Sequence, residues 1–374
     1  TFDNWTRPEI DTVLEATIQL KVRHSLGETT DLLKNRTLFM IFFEQSTRTR
    51  NSLEAAMTQL GGHAHDLTED KMQISHGEST KDTAKVLSRM GEAIAIRNCF
   101  YGIGNRYLNT IAEHSDIPVI SMQDDVYHPL QVIADLLTIQ EHYGKNLQGL
   151  KVAICWAYAT SHAKPISVPQ SQILLFPRYG MDVVCAHPPE FPLQPEIVEK
   201  ARRNAKNGGG RLTFTHSMEE AIQDANIVIP KNWGGFAFFD EYVDDEEHRR
   251  QMKANLEKHE GWICDMNRFS LARKDARIMH ALPADRGKEV TDEVLDSPHS
   301  IIYDEAANRL HTAKAILTLL PDAPDGRSVL LNLDPVCSGR GLASPPGLSV
   351  SGIGTAARQI DSSPNAVPHM EAAL

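Results

Sequence analysis

A parallel-sheet α/β fold in two domains is the architecture that the sequence predicts, and three observations carry it. Short apolar runs alternate with stretches of helical spacing through residues 9–320, which is how strands joined through helices read in parallel sheets. The alternation begins afresh at KVAICWAY, 151–158, after a helix-like stretch that ends at Gly144. At 374 residues the chain also exceeds what one core serves, since single cores stop growing at about 250–300 residues.

Taken in order, Ile10, Val13, Leu14, Ile18 and Leu20 mark a first helix over 9–22. TLFMIFF at 37–43 is a continuous apolar run and reads as a buried strand. The period then changes: Leu53, Ala56, Met57 and Leu60 mark a helix that starts near Ser46 and stops at Gly61 and Gly62. A helix over 78–90, strands at 93–96 and 117–122, and a helix over 129–143 complete a first domain, 1–144. The second domain has strands at 151–158, 181–187, 225–230 and 276–282, with helices at 195–206 and 217–224. A last helix over 305–320 is stopped by Pro321. Residues 321–374 are rich in Pro, Gly and Ser and poor in large apolar side chains, so a disordered tail is expected.

Composition narrows the function. A net charge of -11 argues against a nucleic-acid surface, so clustered basic residues are read as local anion sites. No apolar run approaches the roughly 20 residues that span a bilayer. Cys99, Cys155, Cys185, Cys264 and Cys337 are scattered, odd in number and without a C-x-x-C pair, which suits a reducing cytoplasm better than a disulfide framework or a zinc module.

The turn at 45–50, QSTRTR, is an anion-site candidate. Unpaired N–H groups and the dipole of the following helix favour negative charge there. Ser46, Thr47 and Thr49 add hydroxyl donors, and Arg48 can grip a phosphate with two parallel bonds. An ordinary Ser N-cap followed by helical arginines explains the same residues. His128 and Gln131 open the helix at 129–143 on one side, and His280-Ala281-Leu282-Pro283 ends a strand where α/β sheets bind ligands. Each has a bland alternative, a cap or a proline-ordered loop. Arg97 and Arg309 are silent taken singly. GIGTA at 352–356 matches a dinucleotide fingerprint but follows no strand, and HAHD at 63–66 has no third metal ligand at a suitable spacing.

Together the pieces resemble the aspartate/ornithine carbamoyltransferase family over nearly all of 1–320. FEQSTRTRNSLEAAMTQLGGHAHDL looks like its carbamoyl-phosphate signature, and QISHGESTKDTAKVLSRM, IRNCFYGIG, HPLQVIADLLTIQEHYG and HALPAD follow in family order. The resemblance implies two doubly wound domains with an interdomain active site: a carbamoyl-phosphate domain at 1–144 joined by the returning helix 305–320, and an acceptor domain at 145–304. It implies a trimer, or a multiple of trimers, in which a neighbour's loop completes each site, and neither cofactor nor metal. Carried over by motif, Ser46, Thr47, Arg48 and Thr49 hold the phosphate, Gln73 binds carbamoyl phosphate from in or beside the subunit-interface loop, and Arg97, His128 and Gln131 surround the carbamoyl group. Ala281, Leu282 and Arg309 form the opposite wall. Arg48, Thr49, His128 and Arg97 are the catalytic set, stabilising the carbonyl oxyanion and the departing phosphate.

The acceptor motif departs from the family. Where ornithine enzymes read D-x-x-x-S-M-G, this chain reads PKNWGGFAF at 230–238, and Ala281 stands where they carry a cysteine. The expected acceptor is therefore a small amine or ureido compound other than ornithine, met by Lys164, Lys231 and Trp233. The proline-rich loop at 164–170 looks like that of the knotted branch, which includes N-acetylornithine and N-succinylornithine carbamoyltransferases and a group with no settled acceptor, and PKNW and HALPAD look most like that last group. Two other classes stay open at this level: a non-catalytic carbamoyl-phosphate sensor with the same fold, and a dinucleotide oxidoreductase lacking its glycine fingerprint.

Overall fold

The computed structural model describes residues 2–160, 164–235 and 246–320. The tail with its GIGTA match lies outside the described residues, as do 236–238 of the acceptor segment. So do 161–163, part of the stretch on which the expected knot rests.

The first domain runs α1 (Arg7–Ser25), β1 (Thr37–Phe42), α2 (Arg48–Gln59), β2 (His63–Thr68), α3 (Thr80–Leu87), β3 (Ala93–Asn98), α4 (Gly104–His114), β4 (Val119–Asp124) and α5 (Pro129–Tyr143). Thr6 and Glu9 start α1 with a reciprocal capping box. The four strands are parallel in the order β2-β1-β3-β4, with Leu38 between Ala64 and Ala93. Strands β1 and β3 are buried along almost their whole length, as strands covered by helices on both faces must be. The HAHD stretch is the polar edge strand β2, invisible to apolar periodicity because its ladder to β1 defines it.

The second domain runs β5 (Lys151–Trp156), α6 (Ser167–Leu175), β6 (Asp182–Ala186), α7 (Pro195–Gly208), β7 (Arg211–Thr215), α8 (Met218–Ile222), β8 (Ile227–Lys231), α9 (Glu246–Glu257), α10 (Met266–Phe269), β9 (Arg277–Ile278) and α11 (Asp292–Leu295). Its parallel order is β7-β6-β5-β8-β9, with Val152 between Val183 and Ile227. Two readings of the sequence need correction. The proline-rich segment is not all loop: α6 begins at Ser167, and Pro169 sits in its first turn, where a missing N–H costs little. Strand β9 is two residues long instead of seven, because the backbone N–H of His280 turns to the Glu305 carboxylate and leaves the ladder.

Helix α12 (Ile302–Thr318) follows the second domain in sequence but packs on α1, α2 and α5. Asn308 anchors it there, donating to Thr138 Oγ1 at 2.8 Å and to Glu141 at 2.7 Å. All nine residues of α6 are buried, and it meets the first domain through Gln123 Nε2 donating to Ser167 Oγ at 2.9 Å and Gln172 Nε2 donating to Asp135 at 2.8 Å. Both sheets break their sequential order at a switch point, between β1 and β3 in one and β5 and β8 in the other. Such points open a crevice at the carboxyl ends of the strands. No helix among the described residues is long and apolar enough to cross a membrane.

The turn from β3 into α4 is tight enough to require glycine, since a Cβ on Gly104 would lie 1.9 Å from the Asn98 carbonyl oxygen. Gly104→Ala is expected to lower the free energy of unfolding in urea by about 1–3 kcal/mol, with overpacking against backbone as the cause.

Candidate active site

Strand β1 leads into α2 through 43–47, and Thr47 is the N-cap, in helical backbone geometry (φ -80, ψ -54) and without a side-chain cap bond. The routine Ser-cap explanation for Ser46 therefore does not hold. An uncapped start leaves first-turn N–H groups and the positive end of the dipole available to an anion. Ser46, Thr47, Arg48 and Thr49 all line one cavity of about 330 Å³ between the two sheets. Arg50 turns away: it pairs with Asp66 and lies 4.0 Å over the centroid of the Phe42 ring.

Two more guanidinium groups reach the same cavity. Arg97, at the end of β3, donates to Gln123 Oε1 and stands 3.9 Å from Glu44. Arg309 arrives on α12, donating to Thr49 Oγ1 at 2.8 Å and to Gln131 Oε1. The Nε atoms of Arg97 and Arg309 and the Nδ1 of His128 have no hydrogen-bond partner among the described residues. Arg48 has neither a hydrogen-bond nor an ion-pair partner among them.

These charges act on one another. Burial, and then Arg309, Arg97 and Arg48, hold the imidazole of His128 well below its ordinary value of 6.5, so the ring is neutral. Burial pushes the Arg309 guanidinium down to about 10, and Arg97 and Arg48 add to this while Asp135 and Glu305 oppose it. Behind Arg309, the Gln131 amide donates to Asp135 Oδ1 and Glu305 Oε1, each at 2.8 Å. Burial and the neighbouring Asp135 raise Glu305 well above the usual carboxylate range, so the pair retains a proton and carries less than two negative charges.

The far wall belongs to the second domain: Lys164, Pro165, Val168, Lys231, Ala281, Leu282 and Pro283. Lys231 is buried at the end of β8, with Nζ donating to the Asn232 carbonyl at 3.0 Å. Leu282 has a left-handed backbone (φ 43), and its N–H donates to His280 Nδ1 at 2.8 Å. Among the described lining residues there are five Arg and Lys side chains and no carboxylate.

Most of the residues expected from sequence meet here, with three exceptions. Gln131 stands behind the wall and reaches the cavity only through Arg309. Gln73 is exposed on a 3-10 turn away from it. Trp233 is core, correcting its reading as an acceptor contact: it is fully buried, its Nε1 donates to the Phe191 carbonyl at 3.0 Å, and its own carbonyl accepts from Trp156 Nε1 at 2.9 Å. Gln45, Gln123, Pro165 and Val168 line the cavity without having been singled out. Gln45, Pro165 and Val168 lay inside segments already noted, whereas Gln123 lies near the end of β4, a strand that carried no chemical signal.

Two parallel sheets whose switch points face one cationic cavity define a two-domain α/β enzyme for an anionic substrate. The chain belongs to the aspartate/ornithine carbamoyltransferase family: its carbamoyl-P binding domain matches residues 1–141 and its Asp/Orn binding domain residues 148–320. YgeW of Escherichia coli (strain K12) is 36% identical over 342 residues, covering 83% of this chain and 86% of that protein. The ornithine carbamoyltransferase of Carboxydothermus hydrogenoformans is 38% identical over 315 residues, covering 84% and 94%. Among solved structures, ornithine carbamoyltransferase from Pyrococcus furiosus superposes with a TM-score of 0.74 at 34% identity, covering 85% of this chain and 95% of that one. N-acetyl-L-ornithine transcarbamylase does so with a TM-score of 0.76 at 30% identity, covering 85% and 97%.

A buried histidine held below its ordinary value links stability to pH. The unfolded chain takes the proton first, so the stability gained by keeping His128 neutral is present above about pH 6.5 and is lost as pH falls below it. His128→Gln is expected to make this fall shallower by up to about 1.4 kcal/mol per pH unit in urea unfolding at about pH 7, 6 and 5. His187, His280 and His311, which are also depressed, keep their own share.

Proposed function

We propose that the protein transfers the carbamoyl group of carbamoyl phosphate to an amine other than ornithine, giving a ureido product and phosphate, or runs the reverse phosphorolysis at the same site. One observation carries the reading: Arg48, Arg97 and Arg309 converge on an uncapped helix start beside a neutral His128. A dianionic phosphate relieves the mutual repulsion of these cations and accepts the free N–H groups of α2. His128, with one unpartnered nitrogen, is a hydrogen-bond partner for the carbamoyl group. The neutral amine attacks the carbamoyl carbon, a C–N bond forms, the C–O bond to phosphate breaks, and the amine proton leaves with phosphate. Arg48 and Thr49 stabilise the oxyanion and the leaving group, and holding both substrates together contributes up to about 7–11 kcal/mol.

Lys164 and Lys231 support an acceptor that carries a carboxylate or ureido oxygen. Ornithine would place its α-ammonium against a wall that shows no carboxylate among the described residues, which argues against it as the acceptor. In the trimer we envisage, Gln73, exposed on its own chain, serves a neighbouring site. The free thiols of Cys99, Cys155, Cys185 and Cys264 support a reducing cytoplasm as the compartment.

Arg48→Ala is expected to weaken carbamoyl phosphate binding in calorimetry by about ten- to a hundredfold, the worth of its charge-assisted bonds. Arg50→Ala, whose guanidinium is engaged by Asp66 and Phe42, should leave that affinity nearly intact; equal affinity in both variants would refute the site. Incubation with carbamoyl phosphate and a panel of amines, diamines, amino acids and ureides should release phosphate with an anionic amine and not with ornithine. Turnover of ornithine above all others would sink the acceptor assignment.

A further inference from the structure

One carboxylate outside the cavity wall ties together the three segments that build the acceptor side. Glu289 is fully buried. Its Oε1 accepts from the Asn232 N–H at 2.6 Å and lies 3.6 Å from Lys231 Nζ. Its Oε2 accepts from the Asp285 N–H at 2.6 Å and from Lys164 Nζ at 3.1 Å, and lies 3.4 Å from His280 Nε2. Lys164 also reaches Asp285 Oδ2 at 2.8 Å. Because His280 Nδ1 accepts from Leu282, the proton of the neutral ring sits on Nε2, facing Glu289. Lys164, Lys231 and the 281–283 turn line the cavity, and Glu289 does not.

We propose that Glu289 is the positioning residue of the acceptor half-site, holding the loop of Lys164, the end of β8 and the HALPAD turn in one arrangement that presents both ammonium groups to an oxyanion of the acceptor. The proposal rests on the acceptor reading above. Its electrostatics agree. Burial lowers Lys231 and Lys164 adds to this, while Glu289 and Asp285 oppose it. Burial also works against an ionised Glu289, yet Lys231, His280 and Lys164 outweigh it and hold the carboxyl well below the usual range. Without this carboxylate, two cations from separate segments would face each other with Asp285 alone between them.

The test uses full-length protein labelled with 13C-lysine, the Lys231 signal being identified by its loss in Lys231→Met. In Glu289→Gln the Lys231 midpoint, followed by NMR over about pH 6–11, is expected to fall by at least about one unit. Carbamoyl phosphate affinity, assigned to the first-domain residues that Glu289 does not touch, should stay within about two- to threefold of wild type. For any amine that drives phosphate release, acceptor KM should rise about tenfold or more with a much smaller change in kcat, and Glu289→Asp should recover part of both effects. An unmoved Lys231 midpoint overturns the proposal, as does a KM that stays put while the fold is retained. Failure of wild type to bind carbamoyl phosphate would end the transfer reading instead, and the lysine midpoint would still decide the role of Glu289. If Glu289→Gln does not fold, 13C-histidine spectra of Lys231→Met replace it: the His280 midpoint must rise once the opposing ammonium is gone, and an unchanged midpoint is equally fatal.

Discussion

Three guanidinium groups facing one cavity repel one another, and the architecture around the cleft exists to hold them there. Arg309 is restrained by Thr49 and, through Gln131, by the Asp135 and Glu305 pair. Arg97 has Gln123 beside it and Glu44 at 3.9 Å. Only Arg48 of the three faces the cavity without such an anchor among the described residues. The result is a site already arranged for negative charge, in which little reorganisation is needed when an anion arrives. Such preorganisation is the main way a protein stabilises developing charge.

The same constraint explains where polar groups are buried between the domains. A like-charged cluster costs less when carboxylates and amides behind it are tied to one another. Gln131 and Gln172 make such ties between helices α5, α6 and α12, donating their amide N–H groups to Glu305 and Asp135. On the second-domain wall Glu289 stands in the equivalent place behind Lys164, Lys231 and His280. The two halves of the cavity thus share a plan: cations on the wall, with carboxylates one layer behind them.

Much of the fold was legible because buried parallel strands are continuous apolar runs. TLFMIF became β1 and KVAICW became β5, with ends shifted by one or two residues. Strand β2 was missed because HAHDLT is an exposed edge whose definition lies in its pairing to β1. Helix α6 was missed because a helix buried on every face has no amphipathic period, and its Pro169 suggested a loop. Trp233 misled for a related reason: an aromatic beside a binding motif looks the same in sequence whether it meets a ligand or, as here, the core.

By itself the sequence determined the class of fold, the turn proposed to bind an anion and the departure of PKNWGG from the ornithine pattern, since each rests on residues adjacent in the chain. Only the tertiary structure decided that Arg309, 260 positions from Thr49, would share its cavity. It also decided that Arg50 would not, and that Glu289 would gather two lysines and a histidine from three segments. Spacing along a chain specifies local geometry, but which charges meet depends on where strands end at the switch points and on one helix that returns across the domain boundary.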